Sequence, residues 1–191
     1  MLTQAGIFLI TTIGGLLTLA LLLRFMLQML RAPARNQLSE FVAALTNFAV
    51  LPARRVIPGW WGLDLATLTL AWLVQLLQIW LTLKLKGYEM GPAVGTALAA
   101  LALLAAIQIA RIAVYIVMVA IILQAILSWV SPYSPLAPLL TSVTRPFLRP
   151  FQKIVPPVAN VDLSPLFVLI ACQLLLIVPL AWLEAAVSRL L

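Results

Sequence analysis

The chain has 191 residues, 64% of them hydrophobic and 9% charged, with a net charge of +7 from twelve Lys or Arg and five Asp or Glu. A soluble domain carries about 25% charged residues and cannot hide this much apolar surface, so the composition excludes an ordinary soluble fold and points to a bilayer. With no histidine and a single cysteine, Cys172, there is no basis for an intramolecular disulfide or for an ordinary zinc, haem or iron–sulfur site. No cofactor and no metal are expected.

The first apolar run covers residues 7–30. A span needs about 20 residues. The run is too long for the core of a signal peptide, and no basic segment precedes it. Its one charge, Arg24, lies near the end, where a long side chain can reach the headgroups. The stretch 31–62 is more polar and holds Arg31, Arg35, Arg54 and Arg55 against Glu40. Within it Leu38, Phe41, Val42, Leu45 and Phe48 recur at helical spacing. That pattern predicts a short amphipathic helix in the membrane interface. Pro52 and Pro58 flank Arg54–Arg55 and are expected to end the helix there, leaving a basic loop of fixed shape.

Residues 65–83 form the second predicted span, ending at Lys84 and Lys86. From 93 to 130 the chain is apolar except for Gln108, Arg111 and Gln124, too long for one ordinary span. The expectation is a helical extension over about 93–106, shallow, re-entrant or steeply tilted, leading into a span over about 107–130. Residues 131–162 repeat the character of the first polar stretch. Ser134–Pro135 suits a helix start, Leu136, Leu139, Leu140 and Val143 make an apolar stripe, and Arg145, Arg149 and Lys153 supply charge. The last span is predicted over about 163–183.

Self-similarity is the strongest signal. Thr46, Pro52, Arg55, Pro58 and Asp64 recur as Thr144, Pro150, Lys153, Pro156 and Asp162 at a constant offset of 98. Upstream, the segment Arg24–Met29 matches Gln124–Trp129 at an offset of 100, which sets Gln28 against Ser128. The chain is therefore two tandem units, 1–90 and 91–191. Each is built as span, amphipathic helix with a basic proline-containing loop, span, which gives an all-α integral membrane fold.

The blocks Leu23-Arg-Phe-Met-Leu-Gln28, Thr46-Asn47, Pro52-Ala-Arg-Arg-Val-Ile-Pro-Gly59 and Asp64, with Ile126-Leu-Ser-Trp129, Thr144-Arg-Pro146, Arg149-Pro150 and Asp162, resemble the YggT (YlmG) family in its two-repeat proteobacterial form. In the second unit Arg145-Pro146 replaces Asn47-Phe48, and Pro157 replaces Gly59. The resemblance implies a multi-pass protein of the bacterial inner membrane without enzymatic activity. It also implies a link to membrane-complex assembly, to division or nucleoid distribution, or to osmotic and potassium balance.

Asp64 and Asp162 are the only recurring carboxylates. Each precedes a span, where a helix N-cap with a basic partner is the plain reading and a proton or cation site the sharper one. Arg55 and Lys153 are the natural partners, with Asp64 expected within reach of Arg54 or Arg55 and Asp162 near Lys153. Arg54, Arg55, Arg145, Arg149 and Lys153 read as contacts to anionic phospholipid, to another membrane protein or to a second copy, and nucleic acid binding is not expected. Arg111, inside an apolar run, is a functional candidate by its position. Gln75, Gln78, Gln108, Gln124 and Gln173 read as hydrogen-bond links between helices. No nucleophile–base pair, phosphate loop or metal cluster is present, so no catalytic residue is named. Two functions follow: an organising or assembly protein working through its basic segments, or a channel or transporter in osmotic or potassium balance. Lys and Arg counts place both basic segments on the cytoplasmic side and call for four spans; the rival is five spans, with 93–108 crossing fully and the basic segments on opposite faces.

Overall fold

In the computed structural model the described residues are 1–33, 36–59, 62–88, 94–131, 134–154 and 162–190. They are helical, with no strand among them. The helices are α1 (Leu2–Met29), α2 (Gln37–Val56), α3 (Leu65–Leu85), α4 (Val94–Val130), α5 (Ala137–Ile154), α6 (Ser164–Leu175) and α7 (Ala181–Ser188); a π-helical turn, Leu176–Leu180, joins the last two. Four of these segments are long and apolar enough to cross a membrane: α1, α3, α4 and the continuous run Ser164–Ser188.

Residues 94–106 continue straight into α4, with no break that would make them a re-entrant segment. At 1.5 Å per residue α4 is about 55 Å long, against a hydrocarbon core of about 30 Å. Its amino-terminal half is held by α7 and the π turn, through Ala100, Leu104 and Ile107 against Leu176, Leu180 and Val187. Pro179 lies inside the π turn. It has no N–H to give, so the local change of pitch absorbs the missing bond.

Neighbouring spans run antiparallel. A Cβ on Gly6 would touch Leu85, and one on Gly14 would strike the end of Gln78, so glycine brings α1 and α3 together along their length. Trp72 Nε1 donates to the carbonyl of Ala102, 3.0 Å away, tying α3 to α4. The core joins both repeats: Leu21, Leu22 and Phe25 of α1 pack with Val50, Ala71, Ile121, Leu148 and Val168. Cys172 is half-buried against it.

The short helices α2 and α5 lie at the same end of the bundle. Leu27 and Leu30, at the end of α1, pack with Leu139, Leu140 and Val143 of α5 and with Leu38 of α2. Two crossings, α3 and α4, separate α2 from α5, as four spans require.

α2 runs through Pro52, contrary to the expectation from sequence, and ends only at Val56, just before Pro58; α5 likewise continues through its prolines. Pro52 lies inside α2, and Pro146 and Pro150 inside α5. All three are exposed. A proline there costs one backbone bond, while packing of the opposite face holds the helix in register. Arg54 and Arg55 therefore belong to the last turn of α2. Gly59 has a different reason, since a Cβ would lie 3.2 Å from the carbonyl oxygen of Leu63. Gly62 has a φ of 79°, which favours glycine. Pro156, Trp60, Trp61, Tyr133 and Arg35 lie outside the described residues.

Candidate polar sites at the loop end and between the last helices

In the first repeat the end of α1, the body of α2 and the start of α3 meet around charged groups. Asp64 is the N-cap of α3 and only 5% exposed. Its Oδ1 accepts from the backbone N–H of Thr67 at 3.3 Å. Its Oδ2 accepts from the Thr67 hydroxyl, and from Arg54 through Nη2 at 2.5 Å and Nε at 3.1 Å. Burial pushes the Asp64 carboxyl up, but the bonds from Arg54 and Thr67 outweigh it and hold the group below the usual carboxylate range. Arg54 Nη2 also makes a long contact, 3.4 Å, with Oε1 of Gln28. Arg55, expected as the partner, has no bond to Asp64; one step of helix turns it outward, and it is exposed.

A turn deeper, Arg24 Nη1 donates to the Thr46 hydroxyl at 2.7 Å and to Asn47 Oδ1 at 2.9 Å. The Thr46 hydroxyl in turn donates to the carbonyl of Val42 at 2.7 Å and is fully buried. Thr46 is thus an adaptor. Its hydroxyl ends a polar chain inside α2 and receives the guanidinium from α1. Arg24 does not simply reach outward to headgroups.

The second repeat reproduces this frame without the charges. Gln124 stands for Arg24, and its Oε1 contacts the Thr144 hydroxyl. That hydroxyl also lies 2.9 Å from the Leu140 carbonyl. Gln152 stands for Arg54 and donates from Nε2 to Asp162 Oδ2 at 2.9 Å. Asp162 Oδ1 accepts from the backbone N–H of Ser164, the first residue of α6, at 2.8 Å. Here too burial raises the carboxyl, while the bonds from Ser164 and Gln152 hold it below the usual range. Lys153 is not the partner of Asp162. It is exposed, for the same helical reason as Arg55. Ser128, aligned with Gln28, turns back to the Ala125 carbonyl of its own helix at 2.9 Å.

The outer faces differ in the opposite sense. On α2 the large exposed apolar side chains include Phe41, Leu45, Phe48 and Leu51, beside exposed Glu40, Arg54 and Arg55, while Val42, Thr46 and Val50 face inward. The stripe predicted from sequence is therefore split between lipid and core. On α5 the apolar stripe Leu139, Leu140, Val143 and Leu148 is buried, and Arg145, Arg149 and Lys153 are exposed at i, i+4 and i+8. None of these three bases forms an ion pair among the described residues.

A further polar site was not foreseen as a pair. Arg111 Nη2 lies 2.7 Å from Glu184 Oε2, and Gln108 Nε2 donates to Glu184 Oε1 at 2.8 Å. Glu184 was overlooked in the sequence. It is the acid that sits within the last apolar span, and a cation inside another span calls for one. Gln75 and Gln78 do not make the links expected of them through Oε1: those atoms, and the Thr18 hydroxyl oxygen, are buried without a partner. No group of three or more metal-ligating side chains is found among the described residues.

The two frames coincide with two matches to one family description. CCB3/YggT matches residues 3–85 and again 103–183. The chain is 40% identical over 174 residues to the uncharacterized protein PA0392 of Pseudomonas aeruginosa, covering 91% of this chain and 87% of that one. It is 35% identical over 71 residues to the uncharacterized protein YggT of Escherichia coli K12, covering 37% and 38% respectively. A Vibrio alginolyticus protein matches over 71 residues at 37% identity, covering 37% of this chain and 38% of that one. No solved structure matches. With the same fold unit found twice, and with both units matched across nearly the whole chain, the protein belongs to the CCB3/YggT family.

Proposed function

We propose that the protein is a non-enzymatic organiser at one face of a bacterial inner membrane, holding anionic phospholipid headgroups on the outer face of α5. The observation that carries this is the stripe Arg145, Arg149 and Lys153. Three exposed bases line one side of a helix whose other side is buried in the bundle, and no described acid neutralises them. Each such base near an anionic surface contributes about 1 kcal/mol, weakened by salt. Clustering anionic lipid, or docking an acidic surface of a neighbouring membrane protein or of a second copy, is the organising activity that such a face supports.

The competing reading, a channel or transporter in osmotic or potassium balance, draws on Arg111. Its pairing with Glu184 and Gln108 gives that arginine a structural reason to be in the span, and this supports the organiser.

Native mass spectrometry of the full chain after equilibration with phosphatidylglycerol and phosphatidylcholine tests the proposal. Replacing Arg145, Arg149 and Lys153 by glutamine should remove most salt-sensitive phosphatidylglycerol retention. Unchanged retention contradicts it. Saturable ion flux in liposomes, lost with Arg111→Ala, would favour the channel.

A further inference from the structure

Two clefts at the loop end of the bundle are built on aligned residues. The first, about 450 Å³, is lined by Arg24, Gln28, Ser39 and Arg54 among apolar side chains. The second, about 550 Å³, is lined by Gln124, Ser128, Gln152 and Asp162 in the same frame. Arg, Gln and Arg in one repeat are Gln, Ser and Gln in the other.

Charge in the first cleft does not balance. Two guanidiniums face one carboxylate, Asp64, and Arg54 already occupies it. The like charges of Arg24 and Arg54 are close enough to repel. Arg24 donates only from Nη1, and Arg54 only from Nε and Nη2. Arg24 Nε and Nη2 and Arg54 Nη1 thus have no partner among the described residues. Planar guanidiniums with free N–H groups are the natural receptors of phosphate oxygens.

A second feature lies beside the first. An apolar trough of about 450 Å³ runs between α1 and α2, lined by Leu16, Ala20, Leu23, Leu38, Phe41 and Leu45 among others. Val42 lines both the trough and the charged cleft. A polar cleft adjoining an apolar trough across Val42, on the same helix pair, matches the order of a phospholipid, head then chain.

We infer that the first repeat binds one anionic phospholipid, its phosphate between Arg24 and Arg54 and an acyl chain in the α1–α2 trough. This site deepens the membrane role proposed above but does not use the α5 stripe, so the two can fail separately. The second repeat supplies the control. Gln124 meets the Thr144 hydroxyl where Arg24 meets that of Thr46, accepting from it rather than donating, and Gln152 donates to Asp162 as Arg54 does to Asp64. Glutamine at positions 24 and 54 is therefore compatible with the fold.

The full chain in detergent is equilibrated with vesicles of phosphatidylglycerol and phosphatidylcholine, and retained lipid is read by native mass spectrometry. Wild type should keep a tightly held phosphatidylglycerol. The pair Arg24→Gln with Arg54→Gln should lower that affinity by about tenfold or more, at an unfolding temperature within a few degrees of wild type. Arg24→Lys with Arg54→Lys should restore part of it. Glutamine at 145, 149 and 153 should leave the tight lipid in place while weaker, salt-sensitive binding falls. Equal retention by wild type and the Arg24→Gln/Arg54→Gln variant overturns the inference. Displacement of the lipid by millimolar inorganic phosphate overturns the lipid as its source and leaves a free-phosphate site.

Discussion

The two repeats share a frame and distribute charge in opposite ways. In the first, Arg24 and Arg54 bond to Thr46, Asn47 and Asp64, with Arg54 partly exposed, and the outer face of α2 is largely apolar. In the second, the aligned residues are neutral amides on Thr144 and Asp162, and the bases of α5 point outward. The hydrogen-bond geometry, threonine to the long polar side chain of the preceding span and aspartate to the residue one before the aligned base, accommodates arginine in one repeat and glutamine in the other. The frame is set by the caps and the threonine adaptors, while charge is free to move between the inner and outer faces of the short helix.

The largest expected effect concerns the site that lacks a counterpart. The positions aligned with Arg111 and Glu184 are Thr11 and Lys86, so that ion pair belongs to the second repeat alone. Glu184→Leu should cost about 3–5 kcal/mol, because it strands Arg111 in a span. Arg111→Leu with Glu184→Leu should recover most of the loss. Reversible unfolding in detergent or by steric trapping measures both; a double variant as unstable as the single would show that packing, not charge, sets the cost.

Next come the caps. Asp64→Ala removes a charged bond to Arg54 as well as the cap, and should cost about 3 kcal/mol. Asp162→Ala removes an exposed bond from a neutral amide and a part-buried one from the first backbone N–H of α6, and should cost about 1 kcal/mol. Equal losses would erase the distinction between the repeats. A smaller change, about 1 kcal/mol, is expected for Arg54→Gln, which copies Gln152.

The smallest effect is in acid. The folded carboxyls of Asp64 and Asp162 both lie below the usual value. Their stabilisation is therefore complete above about pH 4 and is lost as pH falls through the folded values. Arg54→Gln removes the arginine that lowers Asp64, so its unfolding midpoint should fall less between neutral and acid pH than that of wild type. A steeper fall would contradict the assignment.

Much of this was legible from the residues. Four apolar stretches, the offset of 98 and the two aspartates before spans gave the helices, the repeat and the cap of α3; the N-cap of α6 is Leu163, one residue after Asp162. For Asp64 the expected reach to Arg54 or Arg55 resolves to Arg54, while for Asp162 the expected Lys153 is off by one residue from Gln152. Prolines were expected to end the helices, and only a continuous helix through Pro52 or Pro150 fixes which neighbour turns toward the cap. Thr46 and Thr144 stood out as recurring, but their task depends on side chains twenty residues away on another helix. Glu184 needed only the question of what neutralises Arg111. The division of Phe41 and Val42 between lipid and core could not be read, since both faces of α2 are apolar.

A pair of double-mutant cycles tests the central claim, that one frame is closed by arginines in the first repeat and by neutral amides in the second. The cycles are Arg54→Ala with Asp64→Ala, and Gln152→Ala with Asp162→Ala, each read by unfolding free energy in the same detergent. The coupling is predicted to be about 1.5–3 kcal/mol for Arg54 and Asp64, and about 0.5–1 kcal/mol for Gln152 and Asp162. Couplings of the same size, or none between Arg54 and Asp64, would contradict it.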